Sequence, residues 1–358
     1  MNEGIAGETS MADKVYRVGI VGTGGMGRSH ANAWTNQDRT EVVATADMSG
    51  ESAKALADQF DARSYDDYNK MFADEDLDIV SVTTWQNVRA EITVAAAEAG
   101  IKGIFGEKPM GESMGGCWDM IEACEKNDVK LAIGHQRRYN AQNVEMRRLV
   151  TSGAIGQPNA VLRRDAHGLL NRGTHEIDEM RFWLGDPDPL WLIGQLSRKT
   201  DRWERRVRTE DLCAFLVCFE GGIRGTYESD MPEPDLNRHI VYGEDGSVKR
   251  GPDGTVLLLD AKTAGWQSIT PEPVTGNQFS EFVEWMDGSR DSHINEGKVA
   301  ATTMEVLMAI YESVRIQGVV EWPFTTRENP LDLLVESGKV PIEVEGRYDI
   351  RAPFPEQE

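Results

Sequence analysis

Apolar positions along the chain follow two rhythms. Over residues 15–134, short apolar runs alternate with stretches whose apolar residues recur at helical spacing. Residues 15–21 (VYRVGIV) read as a strand, followed by a glycine-rich turn and a helix to about residue 36. Residues 41–47 (EVVATAD) read as a second strand, and residues 51–60 as a helix capped by Ser49. A strand at 78–83 precedes an alanine-rich helix at 88–99, which ends on Gly100. A strand at 102–105, a helix at 114–127 and a strand at 129–133 complete the region. Nearly continuous apolar strands alternating with longer helices predict βαβ units and a parallel sheet covered on both faces.

After residue 150 the period shortens. Apolar or alternating runs at 158–164, 190–196, 212–219, 223–229, 240–243 and 255–259 predict strands. Gly221-Gly222, Asp245-Gly246 and Pro252-Asp253-Gly254 supply hairpin chemistry between them. One helix, 174–184, interrupts the strands, and two more, 277–286 and 296–317, close the region. The pattern predicts an α/β Rossmann domain at 15–136, followed at 137–324 by an α+β domain with an open, mostly antiparallel sheet and helices on one face. Residues 1–14 read as a disordered tail, and the Pro-rich, acidic residues 325–358 as a tail that wraps the surface.

Size and charge narrow the function. A chain of 358 residues exceeds the roughly 250–300 at which single cores stop growing. With 38 basic and 60 acidic residues, the net charge of −22 repels phosphate backbones and anionic headgroups, arguing against nucleic-acid and membrane-surface roles. No apolar run approaches the ~18 residues of a membrane span, and the N-terminus lacks the basic and apolar regions of a secretory signal. A cytoplasmic protein is expected. Cys117, Cys124, Cys213 and Cys218 lack zinc-site spacing and read as reduced, buried thiols. His30, His135, His167, His175, His239 and His293 show neither H-x3-H nor H-E-x-x-H, so no metal is expected.

Three clusters carry chemistry. Gly22-Thr23-Gly24-Gly25-Met26-Gly27 is a G-x-G-x-x-G turn between a predicted strand and a predicted helix. Its glycines permit a tight turn, close approach of a pyrophosphate, and close packing of helix on strand. Asp47 ends the second strand, placed to accept hydrogen bonds from an adenosine ribose. Its charge disfavours a 2′-phosphate, so NAD is expected over NADP. Next, Glu107-Lys108-Pro109 follows a parallel strand, where ligands of such sheets bind; position alone leaves Lys108 either catalytic or solvated. His175 lies in the first turn of a helix after Asn171-Arg172-Gly173-Thr174, either as a functional imidazole or as a half-buried polar residue behind a cap at Asn171 or Thr174. The charged run DRWERRVR at 201–208 reads equally as a specificity loop or a solvated face.

The order of these motifs resembles the Gfo/Idh/MocA family of glucose–fructose oxidoreductases and inositol dehydrogenases. VGIVGTGGMGRSHANAW comes first, and Thr83-Thr84-Trp85 begins a stretch similar to the family's T-P-N-x-x-H segment along the cofactor. GEKPM, the Gly134–Tyr139 stretch GHQRRY between domains, GTHEIDEMRFWLG with its G-x-H-x-x-D pattern, and FSEFVEWMDGSR follow; the likeness spans about residues 15–323.

The resemblance implies an NAD-dependent enzyme that oxidises a secondary hydroxyl of a sugar, glycoside or cyclitol. His175 would be the base, with an imidazole near its ordinary pKa of ~6.5. Lys108 would stabilise the reacting oxygen. Thr83, Thr84, Trp85, Glu107 and Lys108 would join the glycine loop and Asp47 around the cofactor. Arg138, Tyr139, Arg163 and Arg164, near the domain junction, are further candidates for substrate or cofactor contacts. A homo-oligomer, dimer or tetramer, would cover the open face of the second sheet.

Three residues depart from the pattern: Trp85 stands for the family's proline, Arg89 for its histidine, and Asn171 for an acid four residues before the histidine. Asparagine carries no charge, so any relay through that acid is in question. Two other readings share the same apparatus: a redox-neutral enzyme that oxidises its sugar only transiently, and a dinucleotide-binding regulator without catalysis.

Overall fold

The computed structural model describes residues 14–164, 168–229 and 239–349. Residues 1–13 of the expected tail at 1–14, and His167, lie outside the described residues.

Six parallel strands, β1 (Tyr16–Val21), β2 (Thr40–Ala46), β3 (Arg63–Tyr65), β4 (Ile79–Val82), β5 (Gly103–Gly106) and β6 (Lys130–Ile133), form a sheet in the order β3-β2-β1-β4-β5-β6. Helices α1 (Gly25–Thr35), α2 (Gly50–Ala57), α3 (Tyr68–Asp74), α4 (Gln86–Glu98) and α5 (Met114–Lys126) connect them. The strand order reverses between β1 and β4, so the crevice outside their C-terminal ends is where a ligand binds in such a sheet. Ser49 caps α2 as expected, accepting from the Ser52 N–H, and Gly100 turns the end of α4 with φ of 87°. Strand β3 and helix α3 escaped the sequence reading: β3 is three mostly exposed residues, and α3 buries only Met71 and Phe72.

The second region begins with α6 (Ala141–Thr151), β7 (Pro158–Arg164) and α7 (Thr174–Leu184). Strands β8 (Pro189–Ser197), β9 (Thr200–Glu204), β10 (Val207–Arg208), β11 (Leu212–Phe219) and β12 (Ile223–Glu228) follow. Then come β13 (His239–Gly243), β14 (Gly246–Arg250), β15 (Val256–Asp260) and β16 (Gln267–Ile269). The chain continues through α8 (Gln278–Met286), α9 (Gly297–Ile316), β17 (Val320–Glu321), α10 (Pro330–Glu336) and β18 (Val344–Asp349). Nine strands form one open sheet, β16-β15-β14-β13-β7-β12-β11-β8-β17, antiparallel except where β7 meets β12. The fold is thus a parallel Rossmann sheet followed by a mostly antiparallel one, as the pattern predicts.

Three segments take unexpected places. Helix α6 buries Asn143 and Glu145 beside Met146, Leu149 and Val150, so its inner face is too polar to read as an apolar stripe. Helix α8 was expected to cover the second sheet. It returns instead to the first, where Phe279 and Phe282 pack on Phe105 and Trp34 with centroids 4.8–5.9 Å apart. Residues 325–349 do more than wrap the surface: Leu331 and Leu334 of α10 are fully buried, and β18 pairs in parallel with β9. Residues 350–358 of the expected tail lie outside the described residues.

His293, between α8 and α9, ties these returns together. Its Nε2 donates to the Gln278 carbonyl at 3.0 Å while Nδ1 accepts from the Asn295 N–H at 3.0 Å, which requires a neutral ring. Burial pushes its pKa down from 6.5 to about 4. As pH falls through 6.5 the unfolded imidazole takes a proton that the folded one refuses until about pH 4, so stability is lost across that window. The loss amounts to about 3 kcal/mol at this site. Urea unfolding at pH 4–7 should show it, and His293→Gln should flatten the slope in that range; an unchanged slope would remove His293 from the account.

Candidate active site

The glycine loop joins β1 to α1 at the strand-order reversal. Gly22 has φ of 91°, and a Cβ there would lie 2.8 Å from the Thr84 backbone nitrogen. On Gly27 a Cβ would come within 2.0 Å of the Gly22 carbonyl oxygen, so helix and strand can approach this closely only with glycine. Around Gly24 and Gly25, by contrast, a Cβ would meet nothing within 4 Å. Helix α1 therefore starts on open space, with Gly24 as its N-cap and no side chain on its first N–H groups. That is a cradle for a phosphate at the positive end of a helix. Met26 is exposed on the first turn.

Asp47 holds this loop. Its Oδ2 accepts from the Thr23 N–H at 2.8 Å and the Thr23 hydroxyl at 3.0 Å, and its Oδ1 from the Ser49 N–H at 2.9 Å. A carboxylate offers about four acceptor positions, so a ribose hydroxyl can still be received. Across the crevice, the Thr83 hydroxyl donates to the Gly22 carbonyl at 2.6 Å, whereas Thr84 Oγ1 is buried without a partner. The open cradle, the Asp47 carboxylate and the orphaned Thr84 hydroxyl fit a dinucleotide. Trp85 caps α4 through its backbone only, and Arg89, where the family has histidine, is buried with its Nε donating to the Thr84 carbonyl at 2.9 Å.

Lys108 follows β5 and is supported from beneath. Glu107 Oε1 accepts from His30 Nε2 at 3.0 Å, and its Oε2 accepts from the Lys108 N–H at 3.2 Å. Because the carboxylate can only accept, His30 carries its proton on Nε2, leaving Nδ1 facing the Ser81 hydroxyl at 2.7 Å. Burial raises the Glu107 pKa, but His30, Arg89 and Lys108 outweigh it and hold the group below the usual carboxylate range. Glu107 thus sits behind Lys108, each of its oxygens accepting a hydrogen bond from within the protein.

The lysine reaches across to the second domain, Nζ donating to the Asn171 carbonyl at 3.2 Å. Asn171 belongs to a π-helical turn, Leu169–Gly173, that runs straight into α7. Neither Asn171 nor Thr174 caps that helix, because the π turn already occupies its N-terminal end. His175, on the first turn of α7, is buried with Nδ1 unpartnered. Burial pushes its pKa well below 6.5, and Lys108, Arg137, His135 and Arg172 push the same way. The expectation of an ordinary imidazole is corrected: the ring is enclosed among positive groups and stays neutral into acid. Sequence reasoning also missed His135, whose ring lies 6.2 Å from that of His175 and whose Nε2 is 3.2 Å from the Thr174 hydroxyl.

The junction residues have other tasks. Arg138 is buried and forked onto Asp178 (2.7–3.1 Å) and Asp186 (2.7 and 3.1 Å). Arg163 is fully buried against Glu176 and Glu179 and stacks on Trp183 at 4.6 Å. The Tyr139 hydroxyl donates to Glu281 at 2.7 Å, clasping the interdomain turn to α8. Arg164 faces Glu228 at 3.6 Å. Carboxylates of their own domain or the returning helix take up these groups; Arg138 and Arg163 are fully buried, whereas Tyr139 is half-buried. Among the described residues, no three His, Cys, Asp or Glu side chains converge as a metal site.

Comparison with known proteins shows the family. Residues 16–135 match the oxidoreductase family with NAD-binding Rossmann fold, and residues 163–249 match the Gfo/Idh/MocA C-terminal domain. The chain is 33% identical to inositol 2-dehydrogenase 3 of Saccharopolyspora erythraea over 78% of its own length and 84% of that protein's. It is 34% identical to inositol 2-dehydrogenase/D-chiro-inositol 3-dehydrogenase of Halalkalibacterium halodurans, over 82% and 90% respectively. The crystal structure of aldose-aldose oxidoreductase from Caulobacter crescentus, 24% identical, superposes with a TM-score of 0.73 over 86% of this chain and all of that one. The protein is an NAD-binding oxidoreductase of two domains. It belongs to the Gfo/Idh/MocA family.

Asp47→Ala removes both a ribose acceptor and the anchor of Thr23 and Ser49. With hydrogen bonds to charged groups at about 1.5–3 kcal/mol, NAD affinity should fall at least about tenfold. NADP, which the carboxylate repels, should lose less, so the gap between the two narrows in calorimetry. Equal losses for both would show that Asp47 only shapes the loop.

Proposed function

We propose that this protein oxidises a secondary hydroxyl of a sugar, glycoside or cyclitol, with His175 and Lys108 acting on the same oxygen. NAD, when bound, accepts the hydride from the carbon that bears the hydroxyl. Gly22–Gly27, Asp47 and Thr84 would hold it. The observation that carries the reading is the neutral, buried, partly unpartnered His175 of one domain facing the lysine of the other. The hydroxyl proton passes to the His175 ring at Nε2, since Nδ1 is enclosed. Lys108 donates to the oxygen as negative charge develops there, and its ammonium is held in place by the Asn171 carbonyl. Enclosure weakens the imidazole as a base, and the lysine offsets this by stabilising the alkoxide.

The partner is a small polyol; nucleic acid and membrane have no counterpart in the charge of −22, and among the described residues no helix is long and apolar enough to cross a membrane. Four unpaired, buried thiols suit the reducing cytoplasm. A second copy of the chain covers the outer face of the nine-stranded sheet, where Ile193 and Leu212 remain 46% and 44% exposed. Light scattering should therefore give a dimer or tetramer at micromolar concentration, and Ile193→Asp should shift it toward monomer. A monomeric parent protein would count against the shared sheet.

The catalytic pair is tested on a substrate found by screening polyols for growth of the NADH band. His175→Ala and Lys108→Ala should each lower kcat by at least about 10²-fold while NAD affinity changes little. The double variant should lose less than the product of the two. For the parent enzyme, the acid limb of kcat/KM should lie well below pH 6.5, because the depressed imidazole keeps its lone pair free as pH falls. Lys108→Met should move that limb up by removing the largest charge acting on the ring. Near-native turnover in His175→Ala would overturn the mechanism.

A further inference from the structure

The β9–β10 hairpin belongs to the second domain but docks on the cofactor crevice of the first. Its loop is two residues long, since Glu204 pairs with Val207. Those residues, Arg205 and Arg206, have φ of 49° and 67°, the left-handed pair of a type I′ turn. Asn-Gly satisfies such a turn without strain, whereas two arginines fill it here against their backbone preference. The Arg206 guanidinium lies over the Trp85 ring at 4.9 Å, and the Glu204 carbonyl accepts from Gln86 Nε2 at 3.4 Å. Trp85 follows Thr84, which packs directly on Gly22 of the phosphate loop.

Two buried oxygens at this junction, Thr84 Oγ1 and Gln86 Oε1, have no partner. Arg205 is half-buried, makes no ion pair among the described residues, and its charge reaches Arg89 beneath the crevice, opposing the charged form there. In a chain of net charge −22, an electropositive hairpin tip thus seats on Trp85 and Gln86, beside two orphaned polar atoms, and Thr84 next to them packs on Gly22 of the phosphate loop.

We infer that Arg205 and Arg206 complete the dinucleotide site from the second domain, binding the phosphates of the cofactor, with Trp85 as the surface on which the hairpin seats. This rests on the NAD reading above. Guanidinium groups suit the task because their fork of donors matches phosphate oxygens. The same chemistry could serve an anionic group on the substrate, and the test separates the two.

The variant Arg205→Asn with Arg206→Gly removes both charges while giving the turn its preferred residues, so the hairpin should persist and Tm should not fall. In calorimetry on the full chain, NAD and ADP-ribose should bind about tenfold or more weakly to this variant. Adenosine, measured by competition, should bind as before because it lacks the phosphates. Arg205→Glu should lose more than Arg205→Asn. Unchanged NAD affinity overturns the inference, as does an equal loss for adenosine. A raised substrate KM with NAD affinity intact also overturns it, assigning the arginines to the substrate. A parent protein that binds no NAD at all would sink the functional reading itself, whereas a parent that binds NAD no better than the variant sinks only the hairpin's role.

Discussion

The site depends on how buried charge is compensated along α7. Every residue of Thr174–Leu184 is buried, and Glu176, Asp178, Glu179 and Arg181 are charged. The acids are met by arginines from separate parts of the chain: Arg137 and Arg138 in the interdomain turn, Arg163 on β7 and Arg250 on β14. Removing one member of such a pair typically costs about 3–5 kcal/mol, because the other is left buried and uncompensated. The helix that carries His175 therefore has one position in which all its charges are answered. Arg163 shows the balance directly: burial pushes it down to about 10, while Glu179 pulls the other way.

Lys108 is fixed by a different device. Ser81, His30 and Glu107 form a buried chain beneath β5 that ends on the lysine's own N–H. The two domains are then pinned together by α8 and His293 on one side and by the Lys108–Asn171 contact on the other. Neither domain contains both members of the pair. The hairpin tip at Arg205-Arg206 repeats this logic at the cofactor end, where the second domain again brings charge to a crevice built by the first.

Three of the residues singled out from the sequence share one property. Glu107, Arg138 and Arg163 are polar, close in sequence to functional motifs, and buried. A buried arginine that neutralises a carboxylate and one that awaits a substrate look identical in a sequence, because the difference lies in a distant partner, 40 residues away for Arg138 and Asp178 and 16 for Arg163 and Glu179. The signal for His135 was equally faint: a histidine in the interdomain turn whose importance comes from lying against α7.

What the sequence determined by itself was local. Gly22 and Gly27 are legible because one needs a positive φ and the other leaves no room for a Cβ, and both demands are met within a single turn. The parallel strands, the Ser49 cap and the strand that ends just before Asp47 follow from periodicity and near-neighbour hydrogen bonds in the same way. Only tertiary structure decided which sheet α8 covers, which arginines are consumed as counterions, and that His175 is neutral and enclosed instead of an ordinary imidazole. Those outcomes depend on desolvation and on charge meeting charge across long separations in the chain, and neither quantity exists until the two domains have closed on each other.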